Sequence, residues 1–200
     1  MGAHCMVEES DGSVRLNERG TPSTTTLLFP ASQVTLLDTW DTLGLRGTAS
    51  DSYRVDAVFV SHAFTGTREE PENRRVAGPL FWFTQHGLYA VGVTAVALGI
   101  ASAMLDAFQT LARSKTPRGR SRLADQPAVR ALVARSQAHL ASARAYVLGV
   151  LNAQFDSAQT WGAMPICERA RLRLATTHAI ISAVEVTDQI HKAAGVSAIF

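Results

Sequence analysis

The sequence LDTWDTLGLRGTASDSYRVDAVFV, residues Leu37–Val60, marks the point at which two kinds of sequence pattern meet. Its first half is a loop rich in Gly, Ser and Thr that contains a single arginine, Arg46. Its second half, Ser52–Val60, alternates apolar and polar side chains, as a half-buried strand does. Strand-like segments precede the loop and long helical patterns follow it. The chain is therefore predicted to be an α+β protein in which a sheet is followed by a helical bundle.

The segments before residue 61 have strand character because they are rich in β-branched or alternating residues and end at turn signals such as Pro30. The predicted strands are Gly2–Glu9, Thr24–Phe29, Val34–Leu37 and Ser52–Val60. So few strands in about 60 residues bury too little apolar surface for independent stability. We therefore interpret residues 1–63 as the C-terminal half of a β domain.

Residues 64–80 are predicted to be a linker, since the segment is charged, contains Pro71 and has no periodicity. Residues 81–200 contain long helices whose apolar stripes repeat at helical spacing. Asp125 is the predicted N-cap of the second helix, and Gly195 is the predicted stop of the third. The predicted bounds are about Gln85 to Ser114, Asp125 to Asp156 and Pro165 to Gly195. Helices of this length pack as an antiparallel bundle, here of four-helix type but incomplete.

The overall composition argues against several classes of function. The net charge of +2 gives no support for a nucleic-acid partner. Cys5 and Cys167 are far apart and form no disulfide framework, which favours a reducing, cytoplasmic setting. The histidines show no metal-ligand spacing, so no metal site is expected. The first residues do not have the pattern of a signal peptide.

The segment Val76–Leu105 contains no Asp, Glu, Lys or Arg and is long enough to span a bilayer. Small residues dominate its second half, and Gln85 and His86 interrupt it. These features favour a central helix that other helices cover on all sides, so no membrane partner is expected. The alternative, a small membrane protein spanning at His86–Leu105, predicts that the chain is recovered only in detergent.

Several motifs resemble one known family when they are taken together. They are TWDTLGLRGTASDSYRVDAVFV at 39–60, VALGIASAMLDAF at 96–108, LARSKTPRGR at 111–120 and THAIISAVEVTDQIHKAAGVSAIF at 177–200. This combination resembles the acyl-CoA dehydrogenase superfamily, and within it the branch of two-component flavin-dependent monooxygenases. The resemblance implies a flavin cofactor (FAD or FMN), a small-molecule substrate, a homo-oligomer that is a dimer of dimers, and a flavin reductase as a possible partner.

By the same resemblance, the chain begins inside the β domain and stops inside the helical domain. The position that carries the family's catalytic base has no match, so no catalytic residue is named. Two hypotheses follow. The chain is a flavin-dependent oxidoreductase, acting on an acyl-CoA or, as a two-component monooxygenase, on a small organic substrate. Alternatively, it is a truncated, non-catalytic remnant that retains a helical oligomerisation surface.

The loop residues Arg46, Thr48 and Ser50 are the first candidate site. Glycines let a backbone approach a ligand closely, and a guanidinium with hydroxyls can stabilise an anionic ring or oxyanion. The resemblance implies that this loop lies beside the flavin and substrate cavity. The alternative is a turn between strands, in which Arg46 pairs with a carboxylate such as Asp41.

The second candidate site is the basic segment that contains Arg113, Thr116 and Arg118. The resemblance implies that Arg113 matches the arginine of an R-x-x-F-G pattern, which contacts the diphosphate of a neighbouring subunit's FAD. Arginine binds phosphate oxygens in a bidentate manner, so the residue type suits that contact. Here Thr116-Pro117 replaces Phe-Gly, which is compatible with FMN or a loosely held reduced flavin. The alternative is a solvated basic loop over Lys115–Arg122.

An aromatic cluster, Phe81-Trp82-Phe83 with Tyr89, is the third feature. It is interpreted as the contact between the sheet and the bundle. The alternative is the wall of an apolar cavity for an aromatic or acyl substrate.

Overall fold

The computed structural model describes residues 1–67, 75–161 and 163–198. The chain divides into two compact units, Met1–Arg75 and Val76–Phe200. The strands lie in the first unit and the long helices in the second, which confirms the predicted α+β class.

The strands of the first unit are short. They are β1 (Gly2–Met6), β2 (Thr24–Leu28), β3 (Thr35–Leu37), β4 (Ser52–Arg54) and β5 (Thr65–Gly66). An antiparallel sheet has the order β1-β2-β5, and β3 pairs with β4 in a separate antiparallel ladder. Phe29 is buried and contacts the ring of Tyr53 edge-on, with ring centroids 6.4 Å apart. The first three predicted strands are therefore confirmed, with shorter bounds.

The fourth predicted strand, Ser52–Val60, is wrong beyond Arg54, where β4 ends. Ala57 adopts a left-handed conformation with φ of 50°, which an extended strand cannot contain. Beyond this kink the alternation reverses, because Val58 is half-buried while Phe59, which an unbroken strand would place on the same face as the half-buried Tyr53, is 90% exposed. A single left-handed residue thus moves the following side chains to the opposite face.

The second unit consists of the helices α1 (Gln85–Ser114), α2 (Pro127–Ser157) and α3 (Ile166–Ala194). The predicted bounds of α1 are confirmed, and Thr84 caps this helix by accepting a hydrogen bond from the Gly87 amide at 3.1 Å. Gly195 ends α3 with φ of 61°, as predicted. Helix α1 therefore begins, and helix α3 ends, at a local signal in the sequence.

The predicted N-cap of α2 is wrong. Gln126 precedes the first turn of α2, and no side chain caps the helix. Asp125 instead closes the short 3-10 turn Leu123–Asp125, and its carboxylate accepts hydrogen bonds from Arg122 at 3.0 and 3.1 Å. Arg122 therefore binds the carboxylate that would otherwise accept hydrogen bonds from the amides at the start of α2.

Helix α3 packs along both α1 and α2, which contact each other less extensively. Small residues such as Ala101, Ala143 and Ala175 are fully buried where the helices approach one another. Larger side chains, including Leu105 and Leu172, are buried between the helices. The core of this unit therefore follows α3.

The expectation that α1 is covered on all sides is wrong. Apolar side chains spaced three or four residues apart on α1 are more than half exposed: Tyr89, Val93, Val96 and Ile100. Helix α1 is also long and apolar enough to cross a membrane, a test that core helices of soluble proteins pass as well. One face of α1 is thus apolar and unpartnered within the described chain, and we call these four residues the α1 apolar face.

The predicted domain division into 1–63, 64–80 and 81–200 stays a prediction. The boundary between the two compact units falls at Arg75, inside the predicted linker. Pro71 and the rest of 68–74 lie outside the described residues, as do Gly162, Ile199 and Phe200.

Candidate functional site

The loop after β3 is held by side-chain hydrogen bonds rather than by burial. The Asp51 carboxylate accepts hydrogen bonds from the amides of Thr39 and Trp40 at 2.9 and 2.8 Å. The Trp40 indole donates to the carbonyl oxygen of Leu45 at 3.0 Å. These bonds fix the entrance and the centre of the loop with respect to each other.

The backbone of this loop contains left-handed residues that are not glycine. Leu45 and Ala49 have φ of 57° and 44°, and they flank a short 3-10 turn over Arg46–Thr48. Such conformations cost on the order of 1 kcal/mol or more each, and they concentrate at functional sites. The loop therefore has a strained backbone at two positions, and its side chains are largely exposed.

Arg46, Thr48 and Ser50 are brought together in this loop, and each makes contacts inside it. The Thr48 hydroxyl donates to the Leu45 carbonyl at 2.9 Å and lies 2.9 Å from the Ser50 hydroxyl. The Arg46 guanidinium lies 3.6 Å from the Asp41 carboxylate, in an exposed ion pair. The ion pair named in the turn interpretation is therefore present, and the role of the loop beside a flavin stays a prediction.

The second predicted site surrounds the end of α1. Arg113 lies in the last turn of the helix, and Thr116 and Arg118 follow in the connecting loop. All three side chains are exposed. The loop turns at Gly119, whose φ of 70° favours glycine, and the Arg120 amide donates to the Pro117 carbonyl at 3.1 Å.

Arg113 lines a groove of about 410 Å³ between the end of α1 and the beginning of α2. Its polar lining residues are Gln109, Arg113, Arg130 and Gln137, and no Asp or Glu lines it. Arg130 is held in place because its Nε donates to the Ala124 carbonyl at 2.8 Å. We call this cavity the Arg113–Arg130 groove. Two guanidinium groups and two amides on apolar walls suit an anionic nucleotide-like ligand.

The other three polar residues of this groove, Gln109, Arg130 and Gln137, were not predicted from the sequence. Gln109 precedes Arg113 by four residues on α1, and Gln137 follows Arg130 by seven on α2, so each pair shares a helix face. The spacing within each pair was visible in the sequence. What the sequence lacked was any indication that these two faces oppose each other.

Lys115 does not belong to a solvated loop, as the alternative interpretation of Lys115–Arg122 proposed. Its ammonium donates to the Ala194 carbonyl at 2.7 Å and to the Ser197 hydroxyl at 2.9 Å, in a partly buried position. Its own carbonyl accepts from the Leu123 amide at 3.0 Å. Lys115 therefore closes the loop and fastens it to the end of α3.

Asp125 provides the negative charge nearest in sequence to the groove. The hydrogen bonds that Arg122 donates hold the pKa of the Asp125 carboxyl below its ordinary value. The hydrogen bond to Asp125 in turn raises the pKa of the Arg122 guanidinium above its ordinary value. The Asp125 carboxylate thus pairs mainly with Arg122 and also forms a longer ion pair with Arg130 at 3.7 Å.

Two residues of the aromatic cluster, Trp82 and Phe83, contribute to the core of the helical unit, whereas Phe81 and Tyr89 are exposed. Phe83 is buried, and its ring centroid lies 6.3 Å from that of Trp161. Trp82 packs against the same cluster. The predicted contact with the sheet stays a prediction. Among the described residues, no group of three or more His, Cys, Asp or Glu side chains is placed to hold a metal ion.

Comparison with known proteins gives a match to the family "Acyl-CoA dehydrogenase, C-terminal domain" over residues 91–200. An indole-3-acetate monooxygenase from Pseudomonas putida is 31% identical over 174 residues, which cover 86% of this chain and 44% of that protein. The chain thus spans less than half the length of the curated relatives it matches.

Solved structures share the fold. XiaF from Streptomyces sp., in complex with FADH2 and glycerol, aligns with a TM-score of 0.78 at 23% identity, over 94% of this chain and 50% of that one. TdsC from Paenibacillus sp. A11-2, with FMN and indole, aligns with a TM-score of 0.68 at 22% identity, over 94% of this chain and 50% of that one.

Proposed function

We propose that this chain, which belongs to the acyl-CoA dehydrogenase C-terminal domain family, is part of a flavin-dependent monooxygenase that oxidises a small aromatic substrate. The Pseudomonas putida relative supports the monooxygenase activity by its name, and the two solved neighbours hold FADH2 or FMN. This agrees with the monooxygenase branch that the sequence motifs resemble.

The observation that carries the proposal is the Arg113–Arg130 groove. A flavin mononucleotide or dinucleotide carries one or two phosphate groups, and guanidinium groups bind phosphate more strongly than neutral donors do. No carboxylate lines the groove, and the carboxylate of Asp125, which lies 3.7 Å from Arg130, is hydrogen-bonded to Arg122. The residues present therefore fit the phosphate end of a flavin, and the amides of Gln109 and Gln137 can pair with further polar groups of the ligand.

In this proposal the chain binds and positions the cofactor. Arg113 and Arg130 hold the phosphate, with Thr116 and Arg118 as further donors from the exposed loop. Reduced flavin, when bound, supplies the electrons for the activation of dioxygen. We propose that a separate flavin reductase delivers it, as in two-component enzymes of this branch.

We also propose that the chain forms a homo-oligomer, as a dimer of dimers. The α1 apolar face supports this, because soluble proteins rarely leave a contiguous apolar surface uncovered. Ile181 and Val184 of α3 extend the exposed apolar surface. The free thiols of Cys5 and Cys167 support a cytoplasmic setting.

The test is a titration of the purified chain with FMN, followed by flavin fluorescence. Arg113→Gln should weaken FMN binding about tenfold, because it removes a hydrogen-bonded charge pair. Arg135→Gln is the matched control, since Arg135 is exposed on α2 and outside the groove. Equal affinities of the wild type and Arg113→Gln would overturn the assignment of the groove.

A second experiment separates the monooxygenase from the dehydrogenase. With reduced flavin, dioxygen and indole-3-acetate, a monooxygenase gives a product one oxygen atom heavier than the substrate. With oxidised flavin and an acyl-CoA under anaerobic conditions, a dehydrogenase bleaches the flavin absorbance instead. Flavin binding without either reaction would favour the non-catalytic alternative.

A further inference from the structure

Lys115 lies where three segments of the helical unit meet. Its amide donates to the Leu111 carbonyl at 2.8 Å, in the last turn of α1. Its carbonyl accepts a hydrogen bond from the amide of Leu123, which is buried in the short turn before α2. Its ammonium reaches the end of α3, where it donates to the Ala194 carbonyl and the Ser197 hydroxyl. Lys115 therefore connects the ends of α1 and α3 with the approach to α2.

The same junction adjoins both arginines of the Arg113–Arg130 groove. Arg113 precedes Lys115 by two residues, in the last turn of α1. On the other side, Leu123 is followed by Ala124, which lines the groove and whose carbonyl accepts the hydrogen bond from the Arg130 Nε at 2.8 Å. A continuous path of backbone and hydrogen bonds thus runs from Arg113 through Lys115 to Arg130. A displacement of Lys115 is transmitted along this path to the two guanidinium groups.

The spacing of these guanidinium groups depends on the backbone that carries them. The Arg113 side chain is exposed and forms no hydrogen bond or ion pair with the described residues. Arg130 contacts the Asp125 carboxylate at 3.7 Å, in an exposed ion pair. Charge-assisted hydrogen bonds from guanidinium to phosphate oxygens are short and geometrically specific. Two arginines on different helices therefore share one phosphate only when the ends of these helices are held at the right separation.

The contact of Lys115 with α3 is well suited to hold that separation. Its ammonium is partly buried and has two acceptors, at 2.7 and 2.9 Å. Leu123 and Ala194, on either side of it, belong to one buried apolar cluster. By contrast, Lys192 in the last turn of α3 forms an exposed ion pair with Asp188. Hydrogen bonds from charged, partly buried donors contribute more to stability than exposed ion pairs do.

We propose that Lys115 is a positioning residue for the flavin phosphate, because it ties the end of α1 to the end of α3 and so sets the spacing of Arg113 and Arg130. The inference rests on the proposed flavin binding in the groove. Linked equilibria are reciprocal, so a ligand whose affinity depends on a contact also strengthens that contact. Binding of FMN should therefore stabilise the turn Gly195–Ala198, which contains Ser197 and does not line the groove.

The test compares the Kd values of FMN and riboflavin, whose ratio measures the contribution of the phosphate, in variants whose helical content matches that of the wild type. Lys115→Met should reduce this preference for FMN at least about fivefold. Lys115→Arg keeps the charge and the hydrogen-bond donors and should restore most of it. Ser197→Ala removes one acceptor of the Lys115 ammonium without a change in charge and should reduce the preference by a smaller factor. Lys192→Met, which removes a lysine charge from the same end of α3, is the matched control and should have no effect.

These variants distinguish positioning from simple attraction between charges. A loss of preference in Lys115→Met together with an unchanged preference in Ser197→Ala would mean that Lys115 acts through its charge alone, and would overturn the inference. An equal loss in Lys192→Met would overturn it in the same way. If Lys115→Met does not fold, Ser197→Ala and Lys115→Arg decide the question.

Hydrogen–deuterium exchange gives a second readout, which a purely structural role of Lys115 would not change. FMN should slow exchange of the amides at 195–198 in the wild type, and riboflavin should slow it less. Equal exchange with and without FMN would overturn the coupling to α3. A wild type that prefers FMN while Lys115→Met keeps the full preference would overturn this inference and leave the proposed flavin site intact. A wild type without that preference would contradict the phosphate groove itself, and the role of Lys115 with it.

Discussion

The ammonium group of Lys115 donates a hydrogen bond to the carbonyl oxygen of Ala194 at 2.7 Å, joining the end of α1 to the last residue of α3. The last carbonyls of a helix lack intrahelical partners and carry the negative end of the helix dipole. A cation at this position donates a hydrogen bond to such a carbonyl and interacts favourably with the negative end of the dipole. The loop that holds Thr116 and Arg118 is thereby fastened to α3.

Lys115→Met should therefore lower the free energy of unfolding by about 1–2 kcal/mol, because a partly buried carbonyl loses its charged donor. Urea unfolding followed by circular dichroism measures the change. Lys192→Met is the control, since it removes only an exposed pair with Asp188 and should cost about 0.5 kcal/mol or less. Equal effects of the two substitutions would contradict the role assigned to Lys115.

Leu172→Ala should destabilise the chain by about 2–5 kcal/mol, because it opens a cavity where α3 meets the rest of the core. Leu172 is 2% exposed, whereas Leu174 on the same helix is 62% exposed. Leu174→Ala is therefore the matched control and should change the midpoint of urea unfolding very little. A similar loss of stability in both variants would mean that the Leu172 side of α3 does not face the core.

The Arg122–Asp125 pair should make stability depend on pH. Because the folded state lowers the pKa of the Asp125 carboxyl, the pair stabilises the fold above the unfolded-state pKa of about 3.9 and is lost as the pH falls through the folded-state value. Asp125→Asn should thus lower Tm slightly at pH 7 and not at pH 2.5. In an Arg122→Gln background the difference at pH 7 should shrink, because only the longer, exposed ion pair of Asp125 with Arg130 at 3.7 Å remains. An undiminished difference would contradict the assignment to the Arg122–Asp125 pair.

The α1 apolar face should determine the oligomeric state. Val93→Asp with Val96→Asp places charges on this face and should convert the oligomer to a smaller species in sedimentation velocity. Ala138→Asp, at an exposed position of α2, should leave the molar mass unchanged. A wild-type chain that is monomeric without detergent would contradict the proposed oligomer, and one recovered only in detergent would favour the membrane alternative.

The helices were more predictable than the strands because their signals are local. The long apolar segment that begins near Gln85 and the stop signal at Pro117 define α1, and Gly195 ends α3 with a positive φ that favours glycine. The prediction of a strand from Ser52 to Val60 was partly wrong because an alternating sequence does not indicate that Ala57, a residue other than glycine, adopts a left-handed conformation. Sequence periodicity alone does not reveal such a kink.

The candidate sites were only partly predictable, because they depend on which helix faces meet. The resemblance identified Arg113, but Arg130 contributes to the same groove only through the packing of α2 on α1. In the same way, Arg169 and His86 are far apart in sequence and line one cavity. The exposure of Val96 was not predicted because the sequence pattern of an apolar helix face is the same in two cases. The face can pack against another helix of the same chain or against a second chain.

The most direct test of the account is an anaerobic titration of the wild-type chain with reduced FMN and with reduced riboflavin, which lacks the phosphate. The account predicts saturable binding of FMN, tighter than that of riboflavin, with a difference that shrinks as salt is added because the contact is ionic. A folded, helical chain that binds neither compound would contradict the proposal that it is part of a flavin enzyme. Equal affinity for the two would contradict phosphate binding in the Arg113–Arg130 groove.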